Sequence, residues 1–344
     1  MKKVKRSVKI VIAVALVIVL LLSSGVIFYL SKLNLIKFSN GKFTWSGSPD
    51  MSDSETLDEE SRMNEAIADL EEKDAIDATG EIYKDKRFLN ILLIGTDERA
   101  ESFSENARGD SCMIMSIGKK DGSLRLASLE RGMGVPILEG KYKGQYDWLT
   151  HTFRYGGADL MMREVRECFK VDVERYIRVN FTTFKKGIDS VGGIDITLTA
   201  AEAAYVNAVT GRKTHVAGDN HLDSDAALAY ARCRHIDSDW HRIERQRNVI
   251  QAVVTKTKDL SIVELNTLLN NVLPLVQTNL TRLEITELLL SAPKYRGVQI
   301  KQMTVPISGS YGGMRGLGGR SLFSVDFDTN AKALREFIYG VKYE

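Results

Sequence analysis

The chain has 344 residues, 44% hydrophobic and 27% charged, with a formal net charge of +2. That length holds one large or two ordinary domains, and the near-even charge balance excludes a general nucleic-acid binder. Cys112, Cys168 and Cys233 are too few and too odd in number for a disulfide framework and lack metal-ligand spacing, which leaves room for one disulfide and one free thiol.

Lys2, Lys3, Lys5, Arg6 and Lys9 open the chain as a basic tail over residues 1–9, and Ile10 to Leu30 follows as 21 uncharged residues. At about 1.5 Å per residue a helix of that length crosses a bilayer core of about 30 Å. The positive excess before it predicts a cytoplasmic N-terminus with the remainder outside. Bulky Ile27 to Leu30, with no small-residue cleavage site, favours an uncleaved transmembrane anchor over a signal peptide. Residues 31–86 read as an acidic stalk or linker: acids outnumber bases from Asp53 to Asp77, and Leu57, Met63, Ile67 and Leu70 give only a faint helical stripe.

The folded part is expected from about Arg87 to residue 344. Phe88 to Ile94 is an apolar strand, followed by a polar loop. Ser111 to Ile117 and Ser123 to Leu129 read as a hairpin around Lys119–Gly122. A helix is predicted over Gly157 to Lys170, a strand over Val173 to Val179, and a helix over Phe181 to Val191 stopped by Gly192 and Gly193. Ile194 to Leu198 is a further strand. Asp223 or Ser224 caps a helix to about Ala231, and a longer helix runs from Trp240 to about Lys258. Helices over Ile262 to Val276 and Ile285 to Ala292, a strand over Val298 to Val305 and a helix over Phe327 to Gly340 complete the pattern. The glycine-rich run between them, from Ser308 to Arg320, reads as a mobile loop. Alternating strands and helices predict an α/β/α sandwich on one central mixed sheet. The leucine-rich helices after Ile262 read as ordinary interhelical packing more readily than as an apolar ligand pocket.

The chemistry gathers around residues 225–251. Arg232 and Arg234 share a face of an extended segment, while Arg242, Arg245 and Gln246 share a face of the following helix. His235 and Arg247 stand close by in sequence, and Ser238 or Asp239 suits the helix N-cap. Converging guanidinium groups beside a helix N-terminus suit a phosphate or pyrophosphate, because each forks two hydrogen bonds onto paired oxygens. The same run also reads as a solvated basic face. Upstream, Asp97 and Arg99 leave the first strand, Arg108 and Asp110 precede the second, and Arg131 follows the third. Asp97 and Asp110 bracket one loop and could approach one hard cation, although each equally suits a turn cap or a partner for Arg99 or Arg108.

The blocks NILLIGTDER, ARGDSCM, ASLER, LTHTFRYGG, VNFTTFKKGIDSVGGIDI, LDSDAALAYARCRH and DSDWHRIERQ, in that order over about residues 88–256, resemble the LytR–CpsA–Psr family. The resemblance implies an extracytoplasmic phosphotransferase, single-pass in the cell membrane of Gram-positive-type bacteria. Such an enzyme moves teichoic acid or capsular polysaccharide from an undecaprenyl-pyrophosphate carrier to peptidoglycan, with Mg²⁺ or Mn²⁺ assisting and a hydrophobic pocket for the polyprenyl chain. It implies Asp97 and Asp110 as metal ligands, and Arg108, Arg131, Arg232, Arg234, Arg242 and Gln246 as pyrophosphate contacts. Arg108, Asp110, Arg131 and Asp239 are then the catalytic candidates, with Asp110, Asp239 or neither as general base. Two departures stand out. Leu129-Glu130-Arg131-Gly132 replaces the family's Ile-Pro-Arg-Asp, and Asp147-Trp148 stands where a basic residue is usual. A polyprenyl-pyrophosphate-binding protein, a pyrophosphatase and a membrane-anchored transcriptional regulator are the alternatives, the last opposed by the outward topology.

Overall fold

The computed structural model describes residues 31–43, 54–98, 103 and 107–341. The expected anchor over Ile10 to Leu30, and Arg99, lie outside the described residues. Among the described residues no helix is long and apolar enough to cross a membrane.

The core is a seven-stranded mixed sheet in the order β1-β10-β7-β2-β3-β4-β11. Its strands are β1 (Lys37–Phe38), β2 (Phe88–Gly95), β3 (Ser111–Gly118), β4 (Leu124–Leu129), β7 (Arg175–Val179), β10 (Gln277–Thr278) and β11 (Lys301–Val305). β2, β3 and β4 form an antiparallel meander, with Ile94 opposite Cys112 and Cys112 opposite Leu129. β7 lies parallel to β2, and β11 parallel to β4. The central strands are apolar on both faces because both are covered. Leu92, Ile94 and Ile114 meet Phe153, Met161 and Phe169 of helix α2 (Leu149–Phe169) and Leu334 and Ile338 of α9 (Phe327–Tyr339). Met113, Met115 and Ile117 turn to the other side, toward Ile250 and Val254 of α6 (Asp239–Lys256). The sheet therefore has helices on both faces, as the alternation predicts.

α3 (Phe181–Ser190), α4 (Ala200–Thr210), α5 (Ser224–Arg232) and α6 build a second apolar cluster around the hairpin β8 (Ile194–Leu198) and β9 (Gly218–Leu222). The sequence reading passed over α4 and β9. α4 is set locally by a capping box, Thr199 with Glu202, and ended by left-handed Gly211. α7 (Ile262–Val272) and α8 (Arg282–Ser291) follow, each starting at a capping box.

Three expectations are corrected. Residues 31–86 are not a free stalk: β1 joins the sheet edge, Leu33 and Ile36 pack with Ile91, Leu280 and Ile285, and helix α1 (Ser54–Ile67) docks on the domain. Met63 and Ile67 of α1 are buried with Trp148, Leu322 and Phe323, so the faint stripe is a real packing face. The glycine-rich run is an ordered hairpin, β12 (Tyr311–Arg315) with β13 (Ser321–Val325), and Gly316 permits the close approach of Leu322 and of the Tyr146 carbonyl. The remaining short pair, β5 (Gly134–Pro136) with β6 (Tyr146–Trp148), lies between β4 and α2. Third, Cys112, Cys168 and Cys233 are all buried free thiols, so no disulfide forms.

Candidate active site

A cavity of about 390 Å³ lies between the ends of β2, β3 and β7 and helices α3, α5 and α6. Leu93, Met113, Ile177, Phe181, Phe184 and Ile250 make its apolar walls, and Asp110, Arg232, Arg234, Arg242 and Gln246 also line it. The leucine-rich helices α7 and α8 contribute none of these residues, so the apolar pocket is built from other elements than the ones weighed in the sequence.

Each polar group is placed by the end of an element. Arg232 closes α5, and its guanidinium sits 4.7 Å from the centroid of the Phe181 ring. Arg242 and Gln246 are one turn apart on α6. Gln246 Oε1 accepts from the Ser111 hydroxyl at 2.9 Å, tying α6 to the start of β3. Ser238 occupies the N-cap position of α6 without capping it, because its hydroxyl meets the His241 ring instead. Arg131 follows β4 and is nearly buried. Its Nε donates to Asp239 at 3.2 Å, and its Nη1 stands 3.8 Å from Asp110. Arg108 donates through Nη2 to Asp97 at 3.4 Å. The predicted Asp97, Arg108, Asp110, Arg131, Arg232, Arg234, Asp239, Arg242 and Gln246 thus belong to one neighbourhood joined by contacts and a shared cavity.

Two arginines of the same run do not join it. Arg245 donates to Glu202 at 2.7 Å and to the Cys233 carbonyl at 2.8 Å, and also pairs with Asp237. Arg247 reaches Gln302 and Thr304 on β11. His151 is buried against Asp147, whose other oxygen holds Arg320.

Sequence reasoning missed Glu59 and Glu130. Glu59 lies on α1, and its Oε1 accepts from Arg131 at 2.6 Å and from Arg234 at 3.3 Å. Asp58 beside it takes Arg234 Nη2 at 3.3 Å, and Arg62 bonds the His235 ring at 2.7 Å. The only signal was the apolar spacing of Met63 and Ile67 behind a run of acids. Gly132 makes this docking close: a Cβ there would lie 2.0 Å from Met63 Cε.

The electrostatics follow from burial opposed by close charge. Charges about 4 Å apart near a protein surface interact at about 4 kcal/mol, strong enough to compete with desolvation. Burial, then the charge of Glu59, pushes Asp110 up to about 6 against the pull of Arg131 and Arg108. Burial and Asp239 push Glu130 up to about 7. Burial works against the charge on Glu59, yet Arg131 and Arg108 hold its carboxyl below the ordinary value. Burial likewise opposes charge on Arg131, and Glu59, Asp239 and Asp110 more than offset it. One side of the site therefore holds firmly charged pairs, and the other holds carboxyls poised near neutrality.

Asp97 and Asp110 are close enough for the one to raise the other, and Asp110 Oδ1 is buried with no hydrogen-bond partner among the described residues. Among those residues no set of three or more His, Cys, Asp or Glu could hold a metal. Two carboxylates are a donor set that Mg²⁺ commonly takes, with phosphate oxygens and water completing its shell.

The LytR_cpsA_psr family matches residues 52–336. The chain is 34% identical over 198 residues to the polyisoprenyl-teichoic acid–peptidoglycan teichoic acid transferase TagU of Bacillus mycoides, covering 56% of this chain and 61% of that protein. It thus spans about three fifths of the length of the curated relatives it matches. The structure of TagT bound to LIIa-WTA superposes with a TM-score of 0.59 at 25% identity, over 78% of this chain and 97% of that one. YwtF (TagT) with bound octaprenyl pyrophosphate lipid superposes with a TM-score of 0.56 over the same shares, and at 22% identity this likeness speaks to the fold alone.

Proposed function

The chain belongs to the LytR_cpsA_psr family, and on that premise we propose that it is a membrane-anchored, extracytoplasmic phosphotransferase. It moves an anionic glycopolymer, teichoic acid or capsular polysaccharide, from an undecaprenyl-pyrophosphate carrier to peptidoglycan. The observation that carries this reading is the cavity itself: apolar walls, with Arg232, Arg234 and Arg242 lining the same space. A long apolar chain ending in two phosphates is the ligand class that satisfies both parts. The relative TagU, named for this transfer between a polyisoprenyl carrier and peptidoglycan, supports the same reading.

The polyprenyl chain lies along Leu93, Ile177 and Phe184, while Arg232 and Arg234 fork onto the pyrophosphate. Arg242, Arg131 and Arg108 stabilise charge as an acceptor hydroxyl bonds to the sugar-linked phosphorus. The phosphoanhydride bond breaks as the new bond forms, polyprenyl phosphate leaves, and the acceptor's proton passes to Asp110, Asp239 or solvent. Phosphoryl transfer proceeds through a loose transition state, so positioning and charge supply most of the acceleration and a strong base is unnecessary. Asp97 and Asp110 would hold Mg²⁺ or Mn²⁺, which neutralises phosphate charge when bound. Ile10 to Leu30 serves as the anchor, with Lys2 to Lys9 cytoplasmic.

Mass spectrometry of lipid co-purified from membranes tests the ligand class. A polyprenyl phosphate or pyrophosphate is expected, and only bulk phospholipid would count against the reading. A topology reporter fused after Glu344 should register outside the cytoplasm.

A further inference from the structure

Glu59 stands apart from the other acids of the site because it is brought by α1, a helix outside the sheet. Its side chain is 1% exposed, and its two oxygens face arginines from three separate segments. Oε1 meets Arg131 at 2.6 Å and Arg234 at 3.3 Å, and Oε2 lies 3.8 Å from Arg108. Oε2 has no hydrogen-bond partner among the described residues. A carboxylate gathering guanidinium groups in this way occupies the position a phosphate oxygen would take.

Access to the arginines is unequal. Arg232, Arg234 and Arg242 line the cavity, whereas Arg108 and Arg131 do not. For those two to reach a phosphate, a group packed against them must withdraw. Of the acids here Asp110 and Glu130 are pushed toward neutrality, so Glu59 carries a large share of the negative charge facing Arg108, Arg131 and Arg234, with Asp58 beside it on Arg234. Withdrawing Glu59 leaves a net positive site, and the remaining attachment of α1 does not depend on it. Met63 and Ile67 stay buried against Trp148, Leu322 and Phe323, so the C-terminal end of α1 stays docked while the turn around Glu59 loosens.

We propose that Glu59 is the resident anion of the head-group site: it holds Arg131, Arg234 and Arg108 in register until a phosphate group of the substrate displaces it and takes the same guanidinium groups. This deepens the phosphotransferase reading and rests on it. Removing a negative charge beside the site raises anion affinity whatever its role, so the variant tests that Glu59 opposes the anion, and its displacement is read separately from amide exchange.

The probe is inorganic pyrophosphate, titrated calorimetrically into the full chain in detergent. Glu59→Gln should lower the melting temperature without ligand, because three guanidinium groups lose a charged partner, and should bind pyrophosphate about tenfold more tightly or better. Amide exchange on the unaltered protein gives a second reading that needs no variant: pyrophosphate should speed exchange over residues 58–62. Equal or weaker binding by Glu59→Gln, or slower exchange over 58–62 with pyrophosphate, overturns the proposal while leaving the phosphotransferase reading intact. Failure of both proteins to bind pyrophosphate removes that reading, and the displaced anion with it.

Discussion

The Arg232 guanidinium lies 4.7 Å from the centroid of the Phe181 ring, so the last residue of α5 is braced on the first residue of α3. Both residues line the cavity, one polar and one apolar. Replacing Arg232 by Ala removes a guanidinium that clamps the pyrophosphate in the ground and transition states alike and should lower kcat/KM by about a hundredfold, roughly 3 kcal/mol. Phe181→Leu removes only the brace, worth about 1 kcal/mol at a partly exposed site, and should raise KM a few-fold with kcat nearly unchanged. Transfer of lipid-linked polymer at the unaltered rate by purified Arg232→Ala would remove Arg232 from the head-group contacts.

Asp110 carries a buried oxygen with no hydrogen-bond partner among the described residues, beside Asp97. Asp110→Asn keeps the shape and deletes one potential ligand charge. Turnover should fall by about a hundredfold or more and lose its response to added Mg²⁺, while chelation of the unaltered protein should be reversed by Mg²⁺ or Mn²⁺. A Mg²⁺ titration with and without the substitution decides it, and an unchanged Mg²⁺ response in the variant removes Asp110 from the metal site.

Much of this architecture was legible because its signals are periodic or terminal. The continuous apolar runs of β2 and β3 read as strands covered on both faces, and Arg242 and Gln246 sit where one helix face puts them, whereas Arg232 ends α5 instead of lying on the extended segment read from the sequence. What escaped was set by single tertiary contacts. Acids of residues 58–60 have the composition of a solvated linker, and arginines across the fold, Arg234, Arg131 and Arg320, pair with them and bury Glu59. Glycine-rich residues 308–320 read as mobile because glycine lacks packing of its own, yet Leu322 comes against Gly316 and Ile67 against Gly313. Arg242 and Arg245 are three residues apart and share a helical face by arithmetic. Glu202 and Asp237, distant or unremarkable in sequence, claim Arg245 for the fold.

That division of labour is measurable. Arg245→Ala strands Glu202 and Asp237 without their shared cation and should destabilise by about 2–3 kcal/mol. This is less than the 3–5 kcal/mol of a fully buried pair, because the Asp237 side chain keeps 25% of its exposure. Per folded molecule, kcat/KM should stay near that of the unaltered protein, in contrast to Arg232→Ala. Chemical denaturation alongside transfer kinetics separates the two effects. A loss of kcat/KM as large as that of Arg232→Ala at full occupancy of the native state would place Arg245 in the site after all.

Glu164 makes a pH dependence independent of the active site. It lies wholly buried on α2, accepts from the Leu138 amide at 3.3 Å, and is pushed by burial from an ordinary value of 4.5 up to about 8. Below the ordinary carboxylate range both folded and unfolded chains hold this proton, so its stabilising contribution is complete. As pH rises from there the unfolded chain ionises first, and folding must then take up a proton, which lowers stability by about 1.4 kcal/mol per pH unit. The loss continues until the folded group itself ionises, then levels off. Glu164→Gln cannot ionise and should flatten this slope: the variant should match the unaltered protein near pH 5 and melt at a clearly higher temperature near pH 8.5. Thermal unfolding at those two values tests it, and parallel curves for the two proteins across the range would show that Glu164 ionises in the folded chain as readily as in the unfolded one.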